Sequence, residues 1–227
     1  LKAGWLDKWK NKKDVTLVKR YKEKVLDRNY RYAVTAIGND IKKEDLKPKL
    51  NIPVFEKDYI AVGVGASDKQ KITFPEKLAE FLATITSDYP EMKFHILGYG
   101  ENDIQYFEKM KKSFGTDKNF ICLVNKLNLL ETTEQIANAK MYIGFDSGLY
   151  NIAYALGKKQ ICMISTKRGQ EFHHDDENIS FIYKELNEEA VEITDESKYN
   201  SDISSISPKV FKKAFNLLIN RDIRSGS

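Results

Sequence analysis

The feature that most limits what this chain can fold into is an alternation between residues 59 and 165. Short apolar runs of strand length are separated there by amphipathic runs of helix length. A strand is expected over 59–66, where Tyr-Ile-Ala-Val-Gly-Val-Gly-Ala runs into glycines. A helix over 75–89 opens on Pro75 and repeats apolar residues at 78, 81, 82 and 85, the spacing of one helical face. The series continues as strand 93–98, helix 102–114, strand 120–124, helix 128–139, strand 141–145, a short helix ending at Gly157 and strand 159–165. Asn128 with Glu131 three residues on reads as a capping box. Apolar strands alternating with helices belong to a parallel sheet covered on both faces. The expected class is therefore α/β.

Composition supports a globular chain and removes other classes. The 227 residues are 41% hydrophobic and 31% charged, enough to bury one large domain or one domain with an appendage. No apolar run approaches the ~18 residues of a membrane span, and no signal-peptide pattern opens the chain. The start at Leu1 rather than Met reads as a fragment or a processed form, and the closing Arg-Ser-Gly-Ser as partly a tag. Cys122 and Cys162 lie in apolar runs and read as reduced core residues. Charge is uneven: residues 1–50 hold 15 Lys or Arg against 7 Asp or Glu, a net +8, which leaves −4 for the rest of a chain at +4 overall. A basic segment can meet nucleic acid, anionic headgroups or a phosphorylated acceptor, or be a solvated helix face. No nucleic-acid motif accompanies it, and no nucleic-acid partner is expected.

Three parts are expected: a basic helical segment and linker over 1–55, the α/β domain over 56–207, and a carboxyl-terminal helix and tail over 208–227. Within the first, Trp5 and Trp9 stand i, i+4, and 15–29 has near-helical apolar spacing with Asp14 as a candidate cap. Residues 30–37 fit a helix continuation or an edge strand. Prolines 48 and 53 mark a linker. Beyond Thr166 the pattern weakens to a short strand near 181–183, an acidic, Ser-rich loop over 188–207, and a helix over 208–220 capped by Ser207. His173, His174, Asp175 and Asp176 are read as a polar loop rather than a metal site, because adjacent residues project in different directions and no second cluster accompanies them.

In an open parallel sheet the turns at the carboxyl ends of the strands gather along one edge, where ligands bind. Three such turns carry candidate chemistry. Gly63 to Lys71 combines glycines, which admit a ligand to the backbone, with Lys69 and Lys71, which supply countercharge for phosphate; an ordinary polar loop is the competing reading. It is neither a Walker A sequence nor a full dinucleotide fingerprint. Gly98 to Glu101 places an acid where ribose hydroxyls can be accepted, or where a helix N-terminus simply favours negative charge. Asp146-Ser147-Gly148 joins the strand 141–145 to its helix and would offer N–H groups to phosphate, or only a helix cap. Asn125 to Asn128 could wall a base pocket.

The stretch Phe-Asp-Ser-Gly-Leu-Tyr-Asn-Ile-Ala-Tyr-Ala-Leu-Gly over 145–157 resembles the donor-site motif of the ADP-heptose:lipopolysaccharide heptosyltransferase family, glycosyltransferase family 9. The resemblance covers about residues 59–165 in element order. It implies the carboxyl-terminal, Rossmann-like half of a GT-B fold that binds a nucleotide-diphospho-sugar. By motif position it implies donor-binding roles for Lys69 or Lys71, Glu101, Leu127, Asp146, Ser147 and Gly148. Asn151 stands where the family has His, and an amide cannot carry positive charge near a phosphate. The family's Lys-x-Trp-Pro becomes Lys71-Ile-Thr-Phe74-Pro75, with one extra residue and Phe for Trp.

The resemblance implies transfer of heptose or a related sugar to lipopolysaccharide core or a similar glycan. It implies no metal and no cofactor beyond the sugar-nucleotide substrate, possible donors including ADP-heptose. A cytoplasmic protein is expected, with peripheral contact at the inner membrane as a further option for the basic segment. Family members carry the acceptor site and general base on an amino-terminal domain, for which about 50 residues leave no room. The chain is thus expected to be a donor half with its general base elsewhere. The alternative is a non-catalytic nucleotide-binding or scaffold protein that retains the half fold. An NAD-type oxidoreductase is disfavoured by the missing Gly-x-Gly-x-x-Gly.

Overall fold

A computed structural model describes residues 25–38, 40–164, 176–183 and 201–220. Trp5, Trp9, Asp14 and residues 15–24, 166–170, 173–175 and 188–200 lie outside the described residues. The chain divides into two units, Leu1–Lys47 with Gln170–His174, and Pro48–Gly169 with Asp175–Ser227. In the first unit, α1 (Val25–Ile37) takes in residues 30–37 as helix, one of the two readings their spacing allowed. It stops at Gly38, whose φ of 114° suits glycine. A 3₁₀ turn over Lys43–Leu46 follows, and Lys43 pairs with Asp27 of α1.

The second unit is a six-stranded, wholly parallel sheet in the order β3-β2-β1-β4-β5-β6. Its elements run β1 (Lys57–Gly63), α2 (Pro75–Thr86), β2 (Lys93–Leu97), α3 (Glu101–Phe114), β3 (Phe120–Cys122), α4 (Leu129–Asn138), β4 (Ala139–Phe145), α5 (Gly148–Ala155), β5 (Gln160–Met163), β6 (Ile179–Ile182), α6 (Ser201–Ser204) and α7 (Pro208–Ile219). Strand order builds outward from β1 in one direction and, after β3, from β4 in the other. The two wings meet where β1 pairs with β4, with Ile60 opposite Met141 and Val62 opposite Ile143. That reversal opens a crevice at the carboxyl ends of β1 and β4.

Period-two alternation sorts the strand residues between two cores. Ile60, Val62, Met141, Ile143, Ile161 and Met163 pack with residues of α2, α3 and α7, including Phe81, Met110 and Phe211. Tyr59, Ala61, Tyr142 and Cys162 face the other way, with Ile136 of α4 and Tyr150 and Ala153 of α5. Each fully buried large side chain contributes about 1.5–3 kcal/mol relative to exposure. Burial on both faces explains why the strands read as continuous apolar runs.

Local signals placed several helix ends. The Asn128 side chain accepts from Glu131 N–H at 3.0 Å while the Glu131 carboxylate accepts from Asn128 N–H at 2.8 Å. Pro75 and Pro208 open their helices, and Ser207 caps α7 through Lys209 N–H. The expected loop over 188–207 needs correction at its end, where α6 forms. Ile203 and Ile206 are buried in the α2–α7 core, and Ser204 Oγ lies 2.7 Å from Thr73 Oγ1. A Ser-rich composition concealed these two core anchors. No helix among the described residues is long and apolar enough to cross a membrane.

Candidate functional site

A cavity of about 640 Å³ lies at the β1–β4 crevice. Its walls come from the turns after four strands: Gly65 to Lys69 after β1, Gly98 and Tyr99 after β2, Leu127 to Leu129 beyond β3, and Ser147 to Leu149 after β4. Asp103 braces the first two turns. It stands at the third position of α3, from which an acid reaches back to the chain entering the helix. Its carboxylate accepts from Tyr99 N–H at 2.9 Å. The same carboxylate occupies the space that a Cβ on Gly65 or Gly98 would need, so both positions require glycine. Burial pushes the Asp103 carboxyl above its ordinary value, partly offset by the Tyr99 N–H. Asn125, in a left-handed conformation at φ 61°, ties the turn from the far side by accepting from Gly100 N–H at 2.6 Å.

The turn after β4 is built on Tyr142. Its fully buried ring leans along β4 over Gly144 and across to Gly63 of β1, and its hydroxyl fills the Cβ space of both. The hydroxyl lies beside Ser147, but neither Tyr142 OH nor Ser147 Oγ has a hydrogen-bond partner of good geometry among the described residues. Burial pushes the Tyr142 phenol well above its ordinary value. Ser147 is the residue before α5, extended at φ −145° and ψ 176°, yet its side chain makes no capping bond. The capping alternative for Ser147 therefore does not describe its hydroxyl, which is held buried in a cavity-lining residue. The first N–H groups of a helix have no intrahelical acceptor, so α5 presents Gly148 and Leu149 N–H at the same wall.

Of the residues singled out from sequence, Lys69, Leu127, Asn128, Ser147 and Gly148 line the cavity. Lys69 and Lys71 sit on one 3₁₀ turn, Lys69–Lys71, whose start is capped by the Asp68 carboxylate accepting from Gln70 N–H at 2.9 Å. Only Lys69 lies on the wall; Lys71 Nζ pairs with Asp146 at 2.8 Å and so joins the β1 and β4 turns. Glu101 is the first residue of α3, outside the cavity wall, and its carboxylate accepts from Gln105 Nε2 at 3.3 Å. Asn151 is exposed, and its amide donates to Ser147 O at 3.1 Å. Sequence reasoning missed Asp103, Tyr99 and Asn102, all on the wall. The third-position rule for helix acids was the available signal for Asp103. Tyr99, 86% exposed at the mouth, gave none.

Among the described residues, charge and chemistry at the site come from these groups. No cluster of three or more His, Cys, Asp or Glu able to hold a metal occurs among the described residues. Burial raises the Cys162 thiol well above its ordinary value, with the Asp146 charge adding to the effect, and keeps it unreactive. What remains is a concave wall with one lysine, one partly desolvated carboxylate, a buried hydroxyl, helix N–H groups and an apolar side made by Tyr99, Leu127, Leu129 and Ile152.

A search of curated proteins gave no significant match. Among solved structures the chain is similar to E. coli ADP-heptose lps heptosyltransferase II, at 16% identity and TM-score 0.59, covering 87% of this chain and 53% of that one. It is similar to E. coli heptosyltransferase WaaC with ADP, at 14% identity and TM-score 0.55, over 73% of this chain and 46% of that one. It is similar also to the family 9 glycosyl transferase from Veillonella parvula, at 17% identity and TM-score 0.54, over 85% and 51%. These likenesses establish the fold, one half of the GT-B type, and the chain spans about half the length of the structures it matches. The profile of glycosyltransferase family 9 (heptosyltransferase) matches residues 5–198, most of the chain, which therefore belongs to that family.

Proposed function

We propose that the cavity at the β1–β4 crevice binds the nucleotide-diphospho-sugar donor of a glycosyl transfer reaction. The observation that carries this reading is the convergence of α5 N–H groups and Lys69 on one wall at the point where strand order reverses. Helix N–H groups and lysine suit a diphosphate, and they stabilise it further as it departs with developing charge. Asp103 suits ribose hydroxyls as an acceptor. The apolar side by Tyr99 and Leu127 suits the flat face of a base. Lys71 is held in reserve on Asp146, from which a diphosphate would compete for it. No metal is required by this arrangement.

The transferred sugar is heptose or a related sugar and the acceptor lipopolysaccharide core or a similar glycan. Two similar structures are described as an ADP-heptose transferase and as a heptosyltransferase with ADP, which supports an ADP-sugar donor. The acceptor site and general base are assigned to a second lobe, because the chain covers only about half of each matched structure. Cytoplasmic placement, with contact at the inner membrane face, belongs to the same reading.

Calorimetric titration with ADP, UDP, GDP and CMP tests it. One nucleotide should bind, and Lys69→Met should weaken it by about 1.5–3 kcal/mol, the worth of a hydrogen bond to a charged group, without altering the fold. Absence of binding by all four, with the circular dichroism of a folded chain, would overturn the donor reading and favour a scaffold.

A further inference from the structure

A second cavity, of about 500 Å³, lies at the opposite edge of the sheet, and its walls include Lys140, Lys158, Lys159, Glu56 and Asn178. These residues stand at or just before the amino-terminal ends of β1, β4, β5 and β6. Lys158 is placed there by the way α5 ends. Gly157, at φ 67°, allows a left-handed turn in which its N–H donates to Tyr154 O and Lys158 N–H donates to Ala153 O. This closure sends the chain back under the sheet, with Lys158 as its first residue beyond the glycine.

The Lys158 side chain is only 10% exposed, and its nearest carboxylate, Glu56, is 3.9 Å away, too far for a hydrogen bond. An ammonium has three donors, and that of Lys158 makes no hydrogen bond among the described residues; its desolvation lowers its pKa below the ordinary value, which Glu56 only partly offsets. Lys140 is engaged with Asp58 at 2.8 Å, and Lys159 has contacts of its own, so Lys158 is the wall lysine whose ammonium lacks a close acceptor among the described residues. A buried charge left this short of partners is costly. An oxyanion in the cavity would supply the acceptors that the described residues do not.

We infer that this cavity is an anion site that takes a phosphate-bearing group, with Lys158 as its central ligand. The site is separate from the donor cavity and does not depend on the donor reading. The phosphate could belong to a soluble metabolite or to a lipid headgroup, and the chemistry is the same.

Thermal unfolding of the full chain in sodium phosphate, against sodium chloride at equal ionic strength, is the direct test, with phosphorus NMR line broadening to measure affinity. Phosphate should raise Tm beyond chloride. Lys158→Met should weaken phosphate binding roughly tenfold or more and raise Tm in chloride, because it removes the underpartnered charge. Lys71→Met, at the other edge, should leave phosphate binding at Lys158 intact. Should Lys158→Met fail to fold, Lys159→Gln on the same wall should weaken binding in part. Co-sedimentation with phosphatidylcholine vesicles, with and without phosphatidic acid, assigns the source. Retention by phosphatidic acid, lost in Lys158→Met, points to a headgroup, and phosphate binding without retention points to a soluble ligand. No phosphate effect beyond chloride, or an undiminished effect in both lysine variants, would overturn the inference.

Discussion

Asp103 is where folding and the proposed function pull in opposite directions. Its carboxyl is raised by burial, so the folded chain holds that proton to higher pH than the unfolded one. Below the ordinary aspartate range, near pH 4, both states are protonated and no cost arises. As pH rises the unfolded state ionises first, and the cost is complete above the folded pKa. Asp103→Asn should therefore be more stable than the parent at neutral pH, with the gain vanishing in acid, because an amide oxygen still accepts from Tyr99 N–H. Urea unfolding at several pH values checks this, and nucleotide affinity in the same variant should fall. At the other end of the crevice, Gly144→Ala would press a methyl on the buried Tyr142 hydroxyl. The expected loss is about 1–3 kcal/mol, the range for overpacking. Tyr142→Phe should recover part of it, since the hydroxyl it removes makes no well-formed hydrogen bond.

At the scale of elements, strand and helix types were legible because each signal is local. Apolar runs of strand length, Pro at a first helical position and the Asn128–Glu131 box all act within a few residues. Asn128→Ala should lower stability by about 1 kcal/mol, read from urea midpoints at constant slope. The site was legible only in part. Gly148 and Ser147 could be placed because a turn after a strand has a fixed position on the sheet edge. Lys69 and Lys71, two residues apart, could not be told from each other, since a 3₁₀ turn sends them to different partners. Asp103 was hidden behind Glu101, as the first acid after the glycines is not the one that points inward. The α6 turn was hidden because two isoleucines among serines, Ile203 and Ile206, set its packing against a core distant in sequence. Phe211→Ala, which removes the ring stacked on Phe81 at 4.8 Å, should cost about 3–5 kcal/mol. That result, from chemical denaturation, would show that α7 belongs to the same cooperative core as the sheet.

At the scale of the molecule, the sheet separates two cavities. One lies at the carboxyl edge where strand order reverses, and the other at the amino edge under three lysines. Family membership and fold rest on the profile and structure matches, while donor binding rests on the geometry of the first cavity. Amide chemical-shift mapping during titration with ADP tests donor binding at this cavity, because it reports where the ligand binds as well as whether it does. The largest shifts are expected at Gly65, Gly98, Leu127, Ser147 and Gly148, residues far apart in sequence that share one wall. Shifts confined to Gly157, Lys158 and Lys159, or none at any concentration, would contradict it.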